Sequence, residues 1–238
     1  MGYEQELAVA QAAVIAAAQL CEAVRRDMVP EATEKADKSP VTVADYGAQA
    51  IICRALSEAF PADPVVGEED AAELRSPAMA DRLKQVTGFV TTVLGSTAPE
   101  QVAQWIDHGN GAPARRFWTL DPIDGTKGFL RGDQYAIALA LIEDGDLKVG
   151  VLGCPALRLN QGNPGLLFTA VRGGGTWMQP IAGGEAKQVH VVPPGDGDRL
   201  RFVESVEASH GNQAEQEAVA AAVGFTQFVG THTGVSDD

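Results

Sequence analysis

Basic residues are scarce in this chain: across 238 residues, Lys plus Arg number 18 against 32 Asp plus Glu, a formal net charge of −14. Holding a nucleic acid polymer or an anionic membrane by charge needs a basic face, so the balance argues against both partners. It leaves small anions open, because bound cations can invert a local field. Cysteine is sparse too. Cys21, Cys53 and Cys154 are odd in number and widely spaced, and they fit neither a disulfide framework nor a metal-ligand pattern. They read as reduced, mostly buried thiols, with an intracellular, cytoplasmic location expected. No apolar run reaches the ~18 residues of a membrane span. The longest, Leu7 to Leu20, is Ala-rich and broken by Gln11 and Gln19. The opening MGYEQE is acidic, lacks the basic start of a signal peptide, and places Glu6 where N-myristoylation needs Ser or Thr. Apolar residues at 45% and charged residues at 21% are ordinary globular proportions. The length allows one large domain or two smaller ones with a real core.

Apolar residues at Leu7, Ala10, Val14, Ala17, Cys21, Val24 and Met28 form one helical stripe, which Pro30 is expected to stop. Thr42 with Asp45 fits a capping box at the head of a second helix that continues through Ile51, Ile52, Ala55, Leu56 and Ala59 to a stop at Pro61. Pro64 to Gly67 reads as a short strand delivering Glu68, Glu69 and Asp70 into a loop. Residues 71–98 carry no decisive pattern, and Pro99 to Asp107 suits a short helix. Strands are expected at 117–120, 135–142, 147–153, 165–172 and 188–192, with Glu143-Asp144-Gly145-Asp146 as a hairpin turn. The turn-rich Pro193 to Asp198 suggests a domain boundary, so that residues 1–198 form an α+β domain and 199–238 begin an α/β domain with a strand at 200–206 and a helix at 213–223.

The most informative segment is Asp121-Pro122-Ile123-Asp124-Gly125-Thr126. Two carboxylates three positions apart follow an apolar strand, in what reads as a tight turn with Pro122 and Gly125 shaping the backbone. Both acids can then face one side with the Ile123 carbonyl between them, an oxygen set suited to Mg²⁺. Glu68, at another strand end, is the natural third ligand, and Asp45 a fourth through water. Thr126 would orient a metal-bound water, with Asp45 or Glu68 as general base and the ions neutralising a transferring phosphoryl group. Taken singly, each acid has a plainer reading. Asp45 caps its helix, Glu68 to Asp70 form a solvated loop, and Asp121 and Asp124 bond to nearby turn amides.

The run Phe117-Trp-Thr-Leu-Asp-Pro-Ile-Asp-Gly-Thr-Lys-Gly-Phe-Leu-Arg-Gly132 resembles the central signature of the inositol monophosphatase superfamily, and within it the 3'(2'),5'-bisphosphate nucleotidase branch. Lys38-Ser-Pro-Val-Thr-Val-Ala-Asp45 and Val66-Gly-Glu-Glu-Asp70 resemble its two upstream motifs, and Arg172-Gly to Trp177 and Val203 to His210 are also similar. Lys127-Gly128-Phe129-Leu130 points to the nucleotidase branch, since inositol monophosphatases usually carry Thr-Asn-Phe after Asp-Gly-Thr. The resemblance implies a layered αβαβα sandwich of the sugar-phosphatase type. It implies hydrolysis of the 3'-phosphate of adenosine 3',5'-bisphosphate, and of its sulfated form, a reaction of sulfur metabolism, with two or three Mg²⁺ ions. It implies Glu68, Asp121, Asp124 and the Ile123 carbonyl as metal ligands, Asp45 and Thr126 as activators of the water, and Gly125, Lys127, Ser209 and His210 on the substrate side. A small-molecule partner and a monomer are expected. Inositol-phosphate hydrolysis and a non-catalytic family member are the competing readings.

The chain departs from the family pattern after Gly224. A Ser-Gln-x-Lys-Tyr-like segment and a Trp-Asp-x-Ala-x-Gly motif, whose Asp ligates metal in the family, do not occur. On this ground the C-terminal α/β domain is expected to be incomplete, with one strand and one helix, and activity of this chain to be weak or absent.

Overall fold

The stripe from Leu7 to Met28 does form a helix, α1 (Glu4–Lys35), with Ala10, Val14, Ala17, Cys21 and Val24 fully buried. It is described here from a computed structural model covering residues 2–35, 39–158, 165–191, 201–204, 213–222 and 227–230. Pro30 does not stop α1, which continues to Lys35. The missing N–H costs the ladder a bond, yet the helix continues past it. By length and composition Glu4–Met28 would suffice to cross a membrane, contrary to the sequence reading. Its apolar stripe is spent on protein instead, against a second helix and a sheet.

That second helix, α2 (Ser39–Ala59), starts three residues before Thr42. The expected capping box therefore does not form. Pro40 takes a first-turn position, where a missing N–H has no intrahelical partner to lose, and Asp45 is carried inside the helix, in its second turn. After β1 (Val65–Val66), two short 3₁₀ turns at 73–75 and 77–79 lead into α3 (Ala80–Leu94), which occupies the stretch that lacked a decisive pattern. Then α4 (Pro99–Asp107) falls where expected.

A seven-stranded sheet follows, in strand order β1 to β7: β2 (Arg116–Asp124), β3 (Ala136–Glu143), β4 (Asp146–Cys154), β5 (Leu166–Val171), β6 (Thr176–Pro180) and β7 (Lys187–Val189). Only the β1–β2 pair is parallel; the others are antiparallel. The β3–β4 hairpin turns through Asp144 (φ 54°) and Gly145 (φ 76°), the paired left-handed conformations of a two-residue turn. Alternation sends Trp118 and Leu120 of β2, Ile137, Leu139 and Leu141 of β3, and Val149 and Val151 of β4 to one buried face. Here α1 lies across β3 to β5, so closely that a Cβ at Gly153 would stand 2.6 Å from Val14 Cγ1. The same alternation turns Thr119 and Asp121 to the opposite face.

These elements form one compact unit, residues 1–189. A second unit, 190–238, contains β8 (Arg201–Glu204), α6 (Gln213–Ala222) and β9 (Gln227–Gly230), with β8 and β9 parallel. The expected single strand and helix are therefore joined by a second strand, and the architecture is mixed α/β. The expected boundary at 198 lies outside the described residues.

One ion cluster ties the first unit together. The half-buried Arg116 donates Nη2 to Glu6 Oε1 at 2.9 Å and Nε to Asp63 Oδ2 at 2.8 Å, and its Nη1 lies 3.8 Å from Glu143 Oε2. Tyr3 donates its hydroxyl to the same Glu143 carboxylate at 2.6 Å. The first turn of α1, the α2–β1 turn and the ends of β2 and β3 are thus joined through one guanidinium. Arg116→Met strands three carboxylates and is expected to cost about 2–4 kcal/mol in urea unfolding. Arg115→Met, which breaks only an exposed pair with Asp144, is expected to cost less than about 0.5 kcal/mol. Equal losses would show that the cluster contributes no more than a surface pair.

Candidate active site

The two aspartates of the central motif do not sit in a turn after the strand, as expected, but inside it. β2 runs through Asp124, and its register against β3 slips from Asp121↔Ala138 to Asp124↔Ala136. Three steps on β2 match two on β3, the signature of a bulge. Pro122 has no N–H for the ladder, and the extra residue is accommodated there. The turn comes one residue later, at Gly125 (φ 94°), a conformation that favours glycine. A short helix, α5 (Thr126–Arg131), starts at once, and Thr126 is its first residue. α5 packs so tightly on the 134–135 backbone that a Cβ at Gly128 would collide with the Gln134 carbonyl. Phe129 is fully buried and meets Tyr135 edge-on at 5.0 Å. Asp124, Gly125, Thr126 and Lys127 are exposed, Asp121 is half-buried, and the Ile123 side chain is buried.

Two other segments approach this strand end. Asp45, half-buried, comes from α2. Glu68, exposed, and Glu69, half-buried, follow β1, whose register sets Val66 beside Thr119. The β1 loop is tied down at both ends. The N–H groups of Glu68 and Glu69 donate to Gln49 Oε1 at 3.1 and 2.9 Å. The Ala71 N–H and Arg75 Nη1 donate to Asp107 of α4 at 3.0 and 2.6 Å. Asp70 is spent locally, accepting the Ala72 N–H at 2.6 Å. The plainer reading of Asp45 fails, because a residue in the second turn cannot cap the helix.

These acids interact strongly. Burial, then the charges of Glu69, Glu68 and Asp121, push the Asp45 carboxyl up to about 9. Burial and Glu68 raise Glu69, against a hydrogen bond from the Tyr46 hydroxyl that lowers it. Burial, Glu68 and Asp124 raise Asp121, against a bond from the Ile123 N–H. Among the described residues, no cationic side chain contributes to any of the three shifts. Asp121 Oδ1 is buried with no hydrogen-bond partner.

The donors are hard oxygens from separate segments, one is orphaned, and their repulsion is unrelieved. That chemistry fits a divalent cation such as Mg²⁺. Among the described residues no three His, Cys, Asp or Glu groups are already arranged to hold an ion, so the set is gathered but open. Ser209 and His210 lie outside the described residues. Three participants escaped the sequence reading as site residues: Glu69, whose charge acts most strongly on Asp45, its partner Tyr46, and Gln49. The available signal was a polar residue at 49 in the apolar stripe of α2, one turn beyond Asp45.

The Asp45 shift has a consequence for stability. A carboxyl raised when folded binds more protons in the native state than in the unfolded chain, so metal-free stability falls as pH rises from about 4 to about 9. Asp45→Asn removes the burden. In metal-free buffer at pH 8 it is expected to add on the order of 1–2 kcal/mol, or roughly 2–8 °C in Tm, and to flatten the decline between pH 5 and pH 8. Thermal melts at the two pH values check this, and an unchanged or lower Tm at pH 8 would contradict the repulsion.

The chain resembles proteins already characterised. Residues 3–228 match the inositol monophosphatase family. The chain is 39% identical to the 3'(2'),5'-bisphosphate nucleotidase of Emericella nidulans, over 95% of this chain and 73% of that protein. It is 40% identical to 3'(2'),5'-bisphosphate nucleotidase 1 of Candida albicans, over 94% of this chain and 69% of the relative. In fold it resembles the crystal structure of CysQ from Bacteroides thetaiotaomicron, a bacterial member of the inositol monophosphatase family, with a TM-score of 0.60 at 18% identity over 96% of this chain and 72% of that one. Mycobacterium tuberculosis SuhB gives a TM-score of 0.61 at 19% identity, over 96% of this chain and 69% of that one. A strand-borne Asp-Pro-Ile-Asp-Gly-Thr motif, two further acidic segments gathered beside it, and these matches along nearly the whole length together mean that the chain belongs to the inositol monophosphatase family.

Proposed function

We propose that this chain is a Mg²⁺-dependent phosphomonoesterase that removes the 3'-phosphate from adenosine 3',5'-bisphosphate. The observation that carries the reading is the unrelieved repulsion among Asp45, Glu69, Glu68, Asp121 and Asp124, gathered from three segments at one strand end. The nucleotide preference is supported by the relatives named 3'(2'),5'-bisphosphate nucleotidase at about 40% identity. Extension to 3'-phosphoadenylyl sulfate belongs to the same reading.

Glu68, Asp121, Asp124 and the Ile123 carbonyl would hold the ions. Bound Mg²⁺ supplies acidification of a water and neutralisation of charge on the phosphoryl group. Thr126, exposed at the head of α5 and two residues after Asp124, would orient the attacking water with its hydroxyl. Asp45, whose carboxyl is raised by burial and by the charges of Glu69, Glu68 and Asp121, would take up the proton of the attacking water, with Glu68 as the other candidate base. Gly125 and Lys127 flank Thr126 and would face the substrate, with Ser209 and His210 assigned there from the motif resemblance alone. Three buried free thiols, Cys21, Cys53 and Cys154, support a reducing, cytoplasmic compartment. A monomer completes the reading.

Phosphate release measured with malachite green tests it. Adenosine 3',5'-bisphosphate with Mg²⁺ is expected to yield phosphate, and inositol phosphate much less. A reversed preference would make the chain an inositol-phosphate phosphatase. Binding of Mg²⁺ and substrate without turnover would make it a non-catalytic family member. Asp124→Asn is expected to lower turnover by at least about a hundredfold, while Asp144→Asn, in the β3–β4 turn, leaves it unchanged. Equal loss in both would point to general destabilisation.

A further inference from the structure

Gln49 is a fully buried polar residue on α2, one helical turn beyond Asp45. A buried amide is costly unless its hydrogen-bonding groups find partners, and this one finds four. Nε2 donates to the Glu69 carbonyl at 2.6 Å and to the Ile106 carbonyl at 2.9 Å. Oε1 accepts from the N–H groups of Glu68 at 3.1 Å and Glu69 at 2.9 Å. Two glycines make room. A Cβ at Gly67 would stand 2.5 Å from Oε1, and one at Gly109 would collide with Nε2. The Gly67 N–H donates to the Gly109 carbonyl at 2.7 Å, so the two loops are also joined beside the amide.

The amide therefore meets the backbone of two acidic residues after β1 and the last turn of α4, from a helix that also carries Asp45. An apolar residue would fill the space, but it would leave two loop N–H groups without these partners and the loop free to shift against α2. We infer that Gln49 is a positioning residue: it fixes the Glu68–Glu69 backbone to the helix bearing Asp45 and so sets the spacing of the carboxylates that take the cation. This rests on the metal-dependent reading above. Partners of this kind, one step removed from the ligands, typically alter metal affinity by about 10–100-fold when lost.

The test uses Mn²⁺ alone as probe, with its binding followed by paramagnetic resonance and amide exchange followed by NMR. Gln49→Met keeps the volume and removes the four bonds. It is expected to weaken Mn²⁺ binding about 10–100-fold and to speed exchange at the Glu68 and Glu69 amides. Thr87→Val removes a part-buried hydrogen bond to the Leu83 carbonyl within α3 and is expected to leave Mn²⁺ affinity at the wild-type value. Should Gln49→Met fail to fold, Gly109→Ala retains the glutamine but displaces its amide, and the same two changes are expected. Wild-type Mn²⁺ affinity in a folded Gln49→Met or Gly109→Ala protein, or an equal loss in Thr87→Val, overturns the inference and leaves the proposed function standing. A wild-type chain that neither binds Mn²⁺ nor releases phosphate overturns the proposed function, and the inference with it.

Discussion

Mutual repulsion of carboxylates is the constraint around which this protein is arranged. Asp45, Glu68, Glu69, Asp121 and Asp124 are drawn together although, among the described residues, no cationic side chain contributes to the shifts of the three most perturbed. An arrangement that opposes itself persists only when the surrounding packing is strong enough to impose it. The imposing structure is the sandwich of α1 and α2 on the buried face of the sheet, with Trp118, Leu139, Leu141 and Val149 behind the strand that ends at the aspartates.

The scaffold fixes backbones and leaves the acidic side chains open. Gln49 and Asp107 hold the loop after β1 by its amides and by Arg75. Gly125, by its left-handed φ of 94°, and Gly128, where a Cβ would collide with the Gln134 carbonyl, let α5 fold back against the 134–135 backbone. Arg116 joins the far ends of the same elements through Glu6, Asp63 and Glu143. In that cluster a cation and its carboxylates satisfy one another; at the strand end the carboxylates are left to be satisfied by something brought in. The contrast between the two acidic groups, one paired and the other left without a cationic partner among the described residues, marks the second as the candidate site.

Much of this was legible in the residues. The three-and-four spacing of α1, the Pro99 start of α4 and the Asp144-Gly145 turn each rest on local physics and formed as the pattern implied. The misreadings were local rules overruled by neighbours. Pro30 did not end α1. Thr42 and Asp45 had the letters of a capping box, yet the Ser39-Pro40 start placed them inside the helix. Asp121 and Asp124 looked like turn residues because Pro122 and Gly125 follow them, but pairing with β3 kept them in the strand and absorbed Pro122 in a bulge. Glu69 and Gln49 were not distinguished, since their roles depend on partners 20 to 57 positions away.

The sequence by itself determined which elements form, which faces of them are apolar, and that acids occur where strands end, because propensity and periodicity act over a few neighbouring residues. Its motifs also carried the family. Only the tertiary structure decided that Asp45 is no cap, that Glu69 acts on it more than Glu68 does, and that one buried amide ties the acidic loop to α2. Those outcomes depend on which surfaces meet when the helices settle on the sheet, and on the low-dielectric surroundings that then make a few charges strong.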